Sequence, residues 1–224
     1  MSVPHMYPAR KCISFSLFSR IYCISTPKRV NKLVHKLILA SASPRRSELM
    51  SQIGIKPDKV SPSKINEKPI RNEMPGTLAL RLANQKATKI ASCNTNCFII
   101  GADTVVSVGK RIVGKPADKS DAKRHLELLS GRRHKVYGGI CILAPNGIRV
   151  ERLVKTIVKF KRLSSSEIEM YLSTGEWQDK AGGYAIQGRA GSFIPWINGS
   201  YTNVVGLDVL SVKGMLTGLG YLQK

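Results

Sequence analysis

No run of about 18 apolar residues occurs anywhere in the chain, which excludes an obvious transmembrane helix. Acidic residues are scarce, 14 against 36 Lys and Arg, leaving a net charge of +22. That excess raises the local concentration of anions, whether nucleic acid, acidic lipid or nucleotide phosphate. The basic residues form no long block and no aromatics interleave with them, so no stacking platform for single-stranded nucleic acid is legible. The five cysteines, Cys12, Cys23, Cys93, Cys97 and Cys141, are odd in number and lack the spacing of a disulfide-built secreted domain. Cys93 and Cys97 would need two further ligands to hold zinc, and no second pair fits. His5, His35, His125 and His134 are scattered and form no H-E-x-x-H pair. Also missing are the G-x-x-x-x-G-K-[ST] loop of P-loop proteins, the G-x-S-x-G elbow of α/β-hydrolases and a strand-linked G-x-G-x-x-G.

What remains is an ordinary globular composition, 42% hydrophobic and 22% charged over 224 residues. That length suits one α/β domain or two closely fused lobes, and it can bury a substantial core. Residues 1–36 stand apart. They carry seven Lys or Arg, no Asp or Glu, and prolines at 4, 8 and 27. An acid-free leader rich in Arg and Ser is similar to a mitochondrial presequence, but a disordered tail or a start codon placed too far upstream accounts for it as well. The domain is therefore expected over 37–224.

From Leu37 strand and helix signals alternate. Leu37–Ser41 reads as a buried strand. Ser43-Pro44 reads as an N-cap with proline at the first helical position, and Gly54 as the helix end. Leu78, Leu82, Ala83, Ala87 and Ile90 mark a longer helix. Cys97–Ala102 and Thr104–Val108 read as strand, with Asp103 where the apolar run stops. Ser120 is the expected cap of a helix through Leu129. Pro145-Asn146-Gly147 turns a hairpin between Val136–Leu143 and Val150–Leu163, whose second arm alternates with period two. Ser164-x-x-Glu167 is a capping box. A final helix is expected from about Leu207. The fold class is α/β: a mixed twisted sheet with flanking helices.

Three segments could carry chemistry. In Ala40–Arg46, small residues lead into a helix N-terminus whose free amides attract phosphate, and Arg45 and Arg46 add planar donor forks. The plainer reading is a capped helix start with two surface arginines. In Gly101-Ala102-Asp103-Thr104, followed by Gly114-Lys115-Pro116, a carboxylate could hold Mg²⁺ or take a proton from water, and Lys115 could balance phosphate charge. The plainer reading is a turn aspartate. In Asp179–Gly188, three glycines, a lysine and Gln187 suit a loop over a nucleotide, with the amide reading a base edge. Seen alone it is an ordinary flexible loop.

Together these stretches resemble the Maf family of nucleotide pyrophosphatases. LILASASPRRSELM, RLANQKA, IIGADTVV, GKP, LSGRRHKVYGG, GEWQDKAGGYAIQG and INGSYTNVVGL occur in the family's order from about Leu37 to Leu207. The resemblance implies an inosine-triphosphatase-like fold of two lobes around a deep cleft. It implies cleavage between the α and β phosphates of a nucleoside triphosphate, assisted by a divalent cation, Mg²⁺ or Mn²⁺. Asp103 matches the family's proton acceptor. Arg45, Thr104 and Gln187 match positions that set substrate choice. Ser41, Arg46, Lys86 and Lys115 fall where phosphate is held, and Glu67 joins Asp103 as a metal ligand.

DKAGGYAIQG looks like the subgroup acting on dTTP and UTP rather than on 7-methyl-GTP. Two departures stand out: Asp208 follows Leu207 where proline is usual, and Gly138 replaces a usual threonine. The expected partner is a nucleoside triphosphate, with no membrane and no need for nucleic acid. The expected location is the cytoplasm, and a homodimer is left open. The competing reading is a basic nucleic-acid-binding or septum-associated regulator with a nucleotide pocket but no turnover.

Overall fold

The computed structural model describes residues 35–221. The expected leader falls, up to residue 34, outside the described residues. Among these residues seven strands, β1 (Lys36–Ala40), β2 (Lys59–Val60), β3 (Cys97–Val108), β4 (Arg111–Val113), β5 (Arg133–Leu143), β6 (Arg149–Lys159) and β7 (Trp196–Asn198), form one sheet. Its order is β2-β1-β3-β5-β6-β7, with β4 paired to β3. The β1–β2 and β1–β3 pairs are parallel and the rest antiparallel, so the sheet is mixed as expected. Among the described residues six α-helices flank it: α1 (Pro44–Gln52), α2 (Pro75–Ala91), α3 (Lys119–Leu129), α4 (Ser165–Ser173), α5 (Tyr201–Val205) and α6 (Val209–Gly218). Among the described residues no helix is long and apolar enough to cross a membrane.

The alternation of side chains along a strand decides which helices cover which face. Leu37 and Leu39 of β1 pack with α1 and α6, whereas Ile38 and Ala40 pack with α2. Buried on both faces, β1 has no polar side chain after its first residue. On the α1 and α6 face, Ile100, Ala102, Ile140 and Ile142 belong to one core. Further along the same strands, Val106 and Val136 belong to a second core, built with Phe160, α3, α4 and Tyr184. Thr104 and its registered partner Gly138 lie between the two cores. This is the floor of a cleft.

On the opposite face α2 lies close against the sheet. A Cβ on Gly101 would sit 2.1 Å from the Ala83 carbonyl oxygen, and one on Gly139 would sit 2.1 Å from that of Ala79. Ala79, Ala83 and Ala87 are fully buried, each a turn after the last. Glycine on the strands and alanine on the helix therefore set the separation of helix and sheet.

Two expectations are corrected. β3 does not break at Asp103: one strand runs from Cys97 to Val108, with Asp103 paired to Gly139. Continuous pairing to β5 holds the strand together. The apolar run is interrupted where β3 has one open edge: β1 pairs with it only as far as Gly101, and its pairing with β4 starts at Val106. The cap of α3 is Asp118, not Ser120; its side chain accepts from the Asp121 amide at 2.7 Å. The capping box of α4 is present, with Ser164 Oγ accepting from the Glu167 amide and the Glu167 carboxylate accepting from the Ser164 amide.

Both departures noted in the sequence have a physical account. Asp208 replaces proline as the N-cap of α6, accepting from the Ser211 amide at 3.0 Å. Burial opposes its ionisation, but hydrogen bonds from Ser200 and Ser211 outweigh burial and hold its pKa below the usual carboxylate value. Gly138 makes room for Asn203: a Cβ there would lie 1.9 Å from Asn203 Oδ1. Fully buried Asn203 donates to Thr156 Oγ1 at 3.0 Å and to the Val136 carbonyl at 3.2 Å, stitching α5 to the sheet.

Candidate active site

The cleft between the two cores holds a cavity of about 100 Å³. One wall comes from the start of α1 and from Val204–Gly206. The other comes from Asp179–Ala181 and from Tyr184, Ala185 and Gln187, and Asp103, Thr104, Lys86 and Lys115 complete it.

Asp103 and Thr104 are neighbours on β3, so their side chains leave opposite faces of the sheet. Both reach the cleft because it crosses the open edge of β3. Asp103 points toward α2, whose close approach brings Lys86 Nζ to 2.6 Å from Asp103 Oδ1. The same ammonium lies 2.6 Å from Glu67 Oε1, and Lys115 Nζ lies 3.4 Å from Glu67 Oε2. Asp103 and Lys86 are buried, while the Glu67 side chain is 40% exposed. Partial burial pushes the Glu67 pKa up, but the Lys86 hydrogen bond and charge, with Lys115, draw it below the usual value.

Thr104 points the other way, toward Arg46. Arg46 is buried, and each nitrogen of its guanidinium donates: Nε to the Gly206 carbonyl at 2.9 Å, Nη1 to Ser41 Oγ at 2.9 Å, and Nη2 to Thr104 Oγ1 at 3.2 Å. Burial lowers the Arg46 pKa, with Asp103 opposing. Gly206 adopts φ +146, a conformation that favours glycine, and its carbonyl also accepts from the Thr104 hydroxyl at 3.3 Å. Arg45 is half-buried and donates from Nε to the Val205 carbonyl at 3.3 Å. Burial lowers its pKa, and Asp179 and Glu48 oppose that shift.

The site residues expected from the sequence thus fall in one neighbourhood. Arg45, Arg46, Lys86, Asp103, Thr104, Lys115 and Gln187 line the cavity. Glu67 stands behind it, joined through Lys86. Ser41 is buried behind Arg46, where its hydroxyl accepts from Arg46 and from the Ser43 amide at 3.1 Å. The sequence counted Lys180 in the third segment without giving it a role, and it gave no sign of Asp179 or of the Val205–Gly206 carbonyls as site groups. Lys180 lines the cavity, and burial followed by the Arg45 charge lowers its pKa. Asp179 has φ +56, one of three non-glycine residues with positive φ among the described residues. The only sequence signal for these was their membership in the third glycine-rich segment and in NVVGL.

Among the described residues no three His, Cys, Asp or Glu side chains converge on one point. The pair Glu67 and Asp103 nevertheless suits a divalent cation. The two carboxylates already share one cation, the Lys86 ammonium, and Mg²⁺ takes only one or two protein carboxylates alongside water and phosphate oxygens.

The chain belongs to the Maf-like protein family, whose profile matches residues 36–219. It is 51% identical over 195 residues to a dTTP/UTP pyrophosphatase of Mesorhizobium japonicum, covering 84% of this chain and 94% of that protein. It is 53% identical over 186 residues to a dTTP/UTP pyrophosphatase of Maricaulis maris, covering 83% and 89%. Among solved structures it is distantly similar to the Staphylococcus aureus Ham1 protein, at 14% identity and a TM-score of 0.39 over 56% of this chain and 71% of that one. A dITP/XTP pyrophosphatase from Mycobacterium abscessus is similar at 13% identity and a TM-score of 0.39, over 82% and 97%.

Proposed function

We propose that this protein hydrolyses dTTP and UTP, and related modified pyrimidine nucleotides, to the nucleoside monophosphate and diphosphate, keeping non-standard nucleotides out of nucleic acid. One observation carries the reading: a buried carboxylate, Asp103, shares a cleft with Arg45, Arg46, Lys86, Lys115 and Gln187. The relatives named as dTTP/UTP pyrophosphatases support the substrate class.

In this reading Asp103 accepts the proton of the attacking water. Its carboxylate is oriented by the 2.6 Å bond from Lys86, so it meets that water without searching rotamers. Arg45, Arg46 and Lys115 stabilise charge on the phosphate oxygens as the α–β bond breaks. Arg46 can do so without rearrangement, since Ser41, Thr104 and Gly206 already fix its plane. Glu67 and Asp103 would hold Mg²⁺ or Mn²⁺, which supplies charge neutralisation on the phosphates and a more acidic water. Gln187, with Arg45 and Thr104, faces the base. Its amide can accept from the N–H of uracil or thymine and donate to a neighbouring carbonyl.

The test is kcat/KM for UTP, dTTP, CTP, GTP, ATP and 7-methyl-GTP at fixed Mg²⁺, read as diphosphate release. UTP and dTTP should lead, with the thymine methyl worth at most about 1–3 kcal/mol. Faster turnover of 7-methyl-GTP than of UTP would remove the pyrimidine assignment. Lack of diphosphate from every nucleotide would remove the enzymatic reading. The proposed place of work is the cytoplasm, and light scattering is the check for a homodimer.

A further inference from the structure

The cleft cavity is only about 100 Å³, but a second space of about 620 Å³ opens on the other side of Asp103. The two share Asp103, Thr104, Lys115 and Ala181 in their linings, so they meet at the carboxylate. Their linings differ. Arg45 and Gln187 belong only to the first. The second has an apolar floor of Leu78, Leu82, Val105, Ile112 and Val113, with Ile65 above it and Lys68 and Asn66 at its mouth. At about 620 Å³ it lies within the range of roughly 300–1,000 Å³ usual for small-molecule sites.

This groove is held open by specific contacts. Its roof, the segment around residues 64–69, is tied to α2 at two points. Arg81 Nη2 donates to the Lys68 carbonyl at 3.1 Å while also pairing with Glu73, and Glu67 is bound to Lys86. Ile65 and Ile112 pack against the Leu78, Leu82 and Val105 cluster, yet neither is fully buried. A leaving diphosphate needs charge and hydrogen bonds, which Lys115 and Lys68 at the mouth could supply. It has no use for an apolar floor, where its charge would be desolvated.

We propose that the groove receives a nucleoside esterified to the terminal phosphate, so that dinucleoside polyphosphates are substrates as well as free triphosphates. The inference rests on the pyrophosphatase reading above. The base proposed to sit at Gln187 places the α-phosphate at Asp103. A group on the γ-phosphate then continues past Asp103 into the apolar groove, where its flat ring covers Leu82, Val105 and Ile112. For P1,P3-di(uridine-5′) triphosphate the step balances as a hydrolysis. Water oxygen bonds to the α-phosphorus, the α–β bridging bond breaks, Asp103 takes the water proton, and UMP and UDP leave.

The test compares P1,P3-di(uridine-5′) triphosphate with UTP on the purified full chain with Mg²⁺, following UDP and diphosphate by chromatography. The expected result is UDP formation with kcat/KM within about tenfold of that for UTP. Ile112→Trp, which fills the floor, should lower the dinucleotide-to-UTP ratio of kcat/KM by about tenfold, and UTP turnover in the same preparation controls for folding. Three results would overturn the inference: a chain that cleaves UTP but forms no UDP, a ratio unmoved by Ile112→Trp, or diphosphate inhibition abolished by Ile112→Trp without dinucleotide turnover, which assigns the groove to the leaving group. If UTP itself is not cleaved, the pyrophosphatase reading falls and takes this inference with it.

Discussion

Arg46 and Gln187 line the same cleft from walls of different construction. The Arg46 wall is fixed: the side chain is buried, and its three nitrogens are bonded to Ser41, Thr104 and Gly206, drawn from three separate parts of the chain. The Gln187 wall is anchored through its backbone, with the Gly182 amide donating to the Gly114 carbonyl at 2.9 Å and Gly188 to Ala185 at 3.0 Å, while Gln187 itself is exposed. The contrast matches what each wall is asked to do. Stabilising charge on phosphate requires donors whose positions are set before the reaction. Reading a base requires one amide that can meet its edge, and a surface side chain can change without disturbing the fold.

The strongest way to break the comparison is at the fixed centre. We expect Asp103→Asn to lower kcat by about 100-fold to 10,000-fold, the usual worth of a general base. The asparagine oxygen can still accept from Lys86, so thermal melting should move little. A variant retaining about a third or more of wild-type kcat would take Asp103 out of proton transfer.

Lys86→Met attacks the same centre through stability. It leaves Asp103 buried beside Glu67 with their shared cation gone, and breaking a buried pair costs about 3–5 kcal/mol. Glu67 is 40% exposed and can turn to water, so we expect the lower end, about 3 kcal/mol. Urea unfolding measures it, and Mg²⁺ should return part of the loss.

Acid tests the wall behind Gln187. His134 is buried against Tyr184, its Nε2 2.7 Å from the tyrosine hydroxyl, and burial depresses its pKa from 6.5 to about 4. Above 6.5 both folded and unfolded chains hold it neutral. Between 6.5 and about 4 only the unfolded chain takes the proton, so stability falls with pH, by about 3 kcal/mol in all, and levels off below. In His134→Phe the pH slope of urea stability across that window should flatten, even though Tyr184 loses its partner and absolute stability drops. An unchanged slope would assign the acid limb to other groups.

Gln187→Ala should be the mildest change to the fold, within about 0.5 kcal/mol of wild type, as for exposed residues generally. Its effect belongs in substrate choice: the preference for UTP over CTP should shrink by about tenfold, read from kcat/KM. A large loss of stability in this variant would end the distinction between the two walls.

Much of this was legible in the sequence because it is local. The proline start of α1, the Ser164–Glu167 box on α4, the alternating buried and exposed positions of β6 and the order of strands and helices each depend on residues a few positions apart. Most residues of the cleft were also named in advance, Arg45, Arg46, Asp103, Lys115 and Gln187 from short motifs rich in glycine or charge, and Lys86 and Glu67 only from the family resemblance. Their arrangement was not. Arg46 bonds to a carbonyl 160 residues away, and Lys86 meets Asp103 only because Gly101 and Gly139 let α2 settle onto the sheet. The sequence broke β3 at Asp103 because a charge in an apolar run looks like an end. Only the pairing partners show that the strand continues on its β5 side while its other edge lies open. Periodicity and capping act over one or two turns, so the sequence determined the elements. Sheet register and helix approach are settled by contacts distant in the chain, so the tertiary structure alone decided that one lysine would hold two carboxylates at the point where two cavities meet.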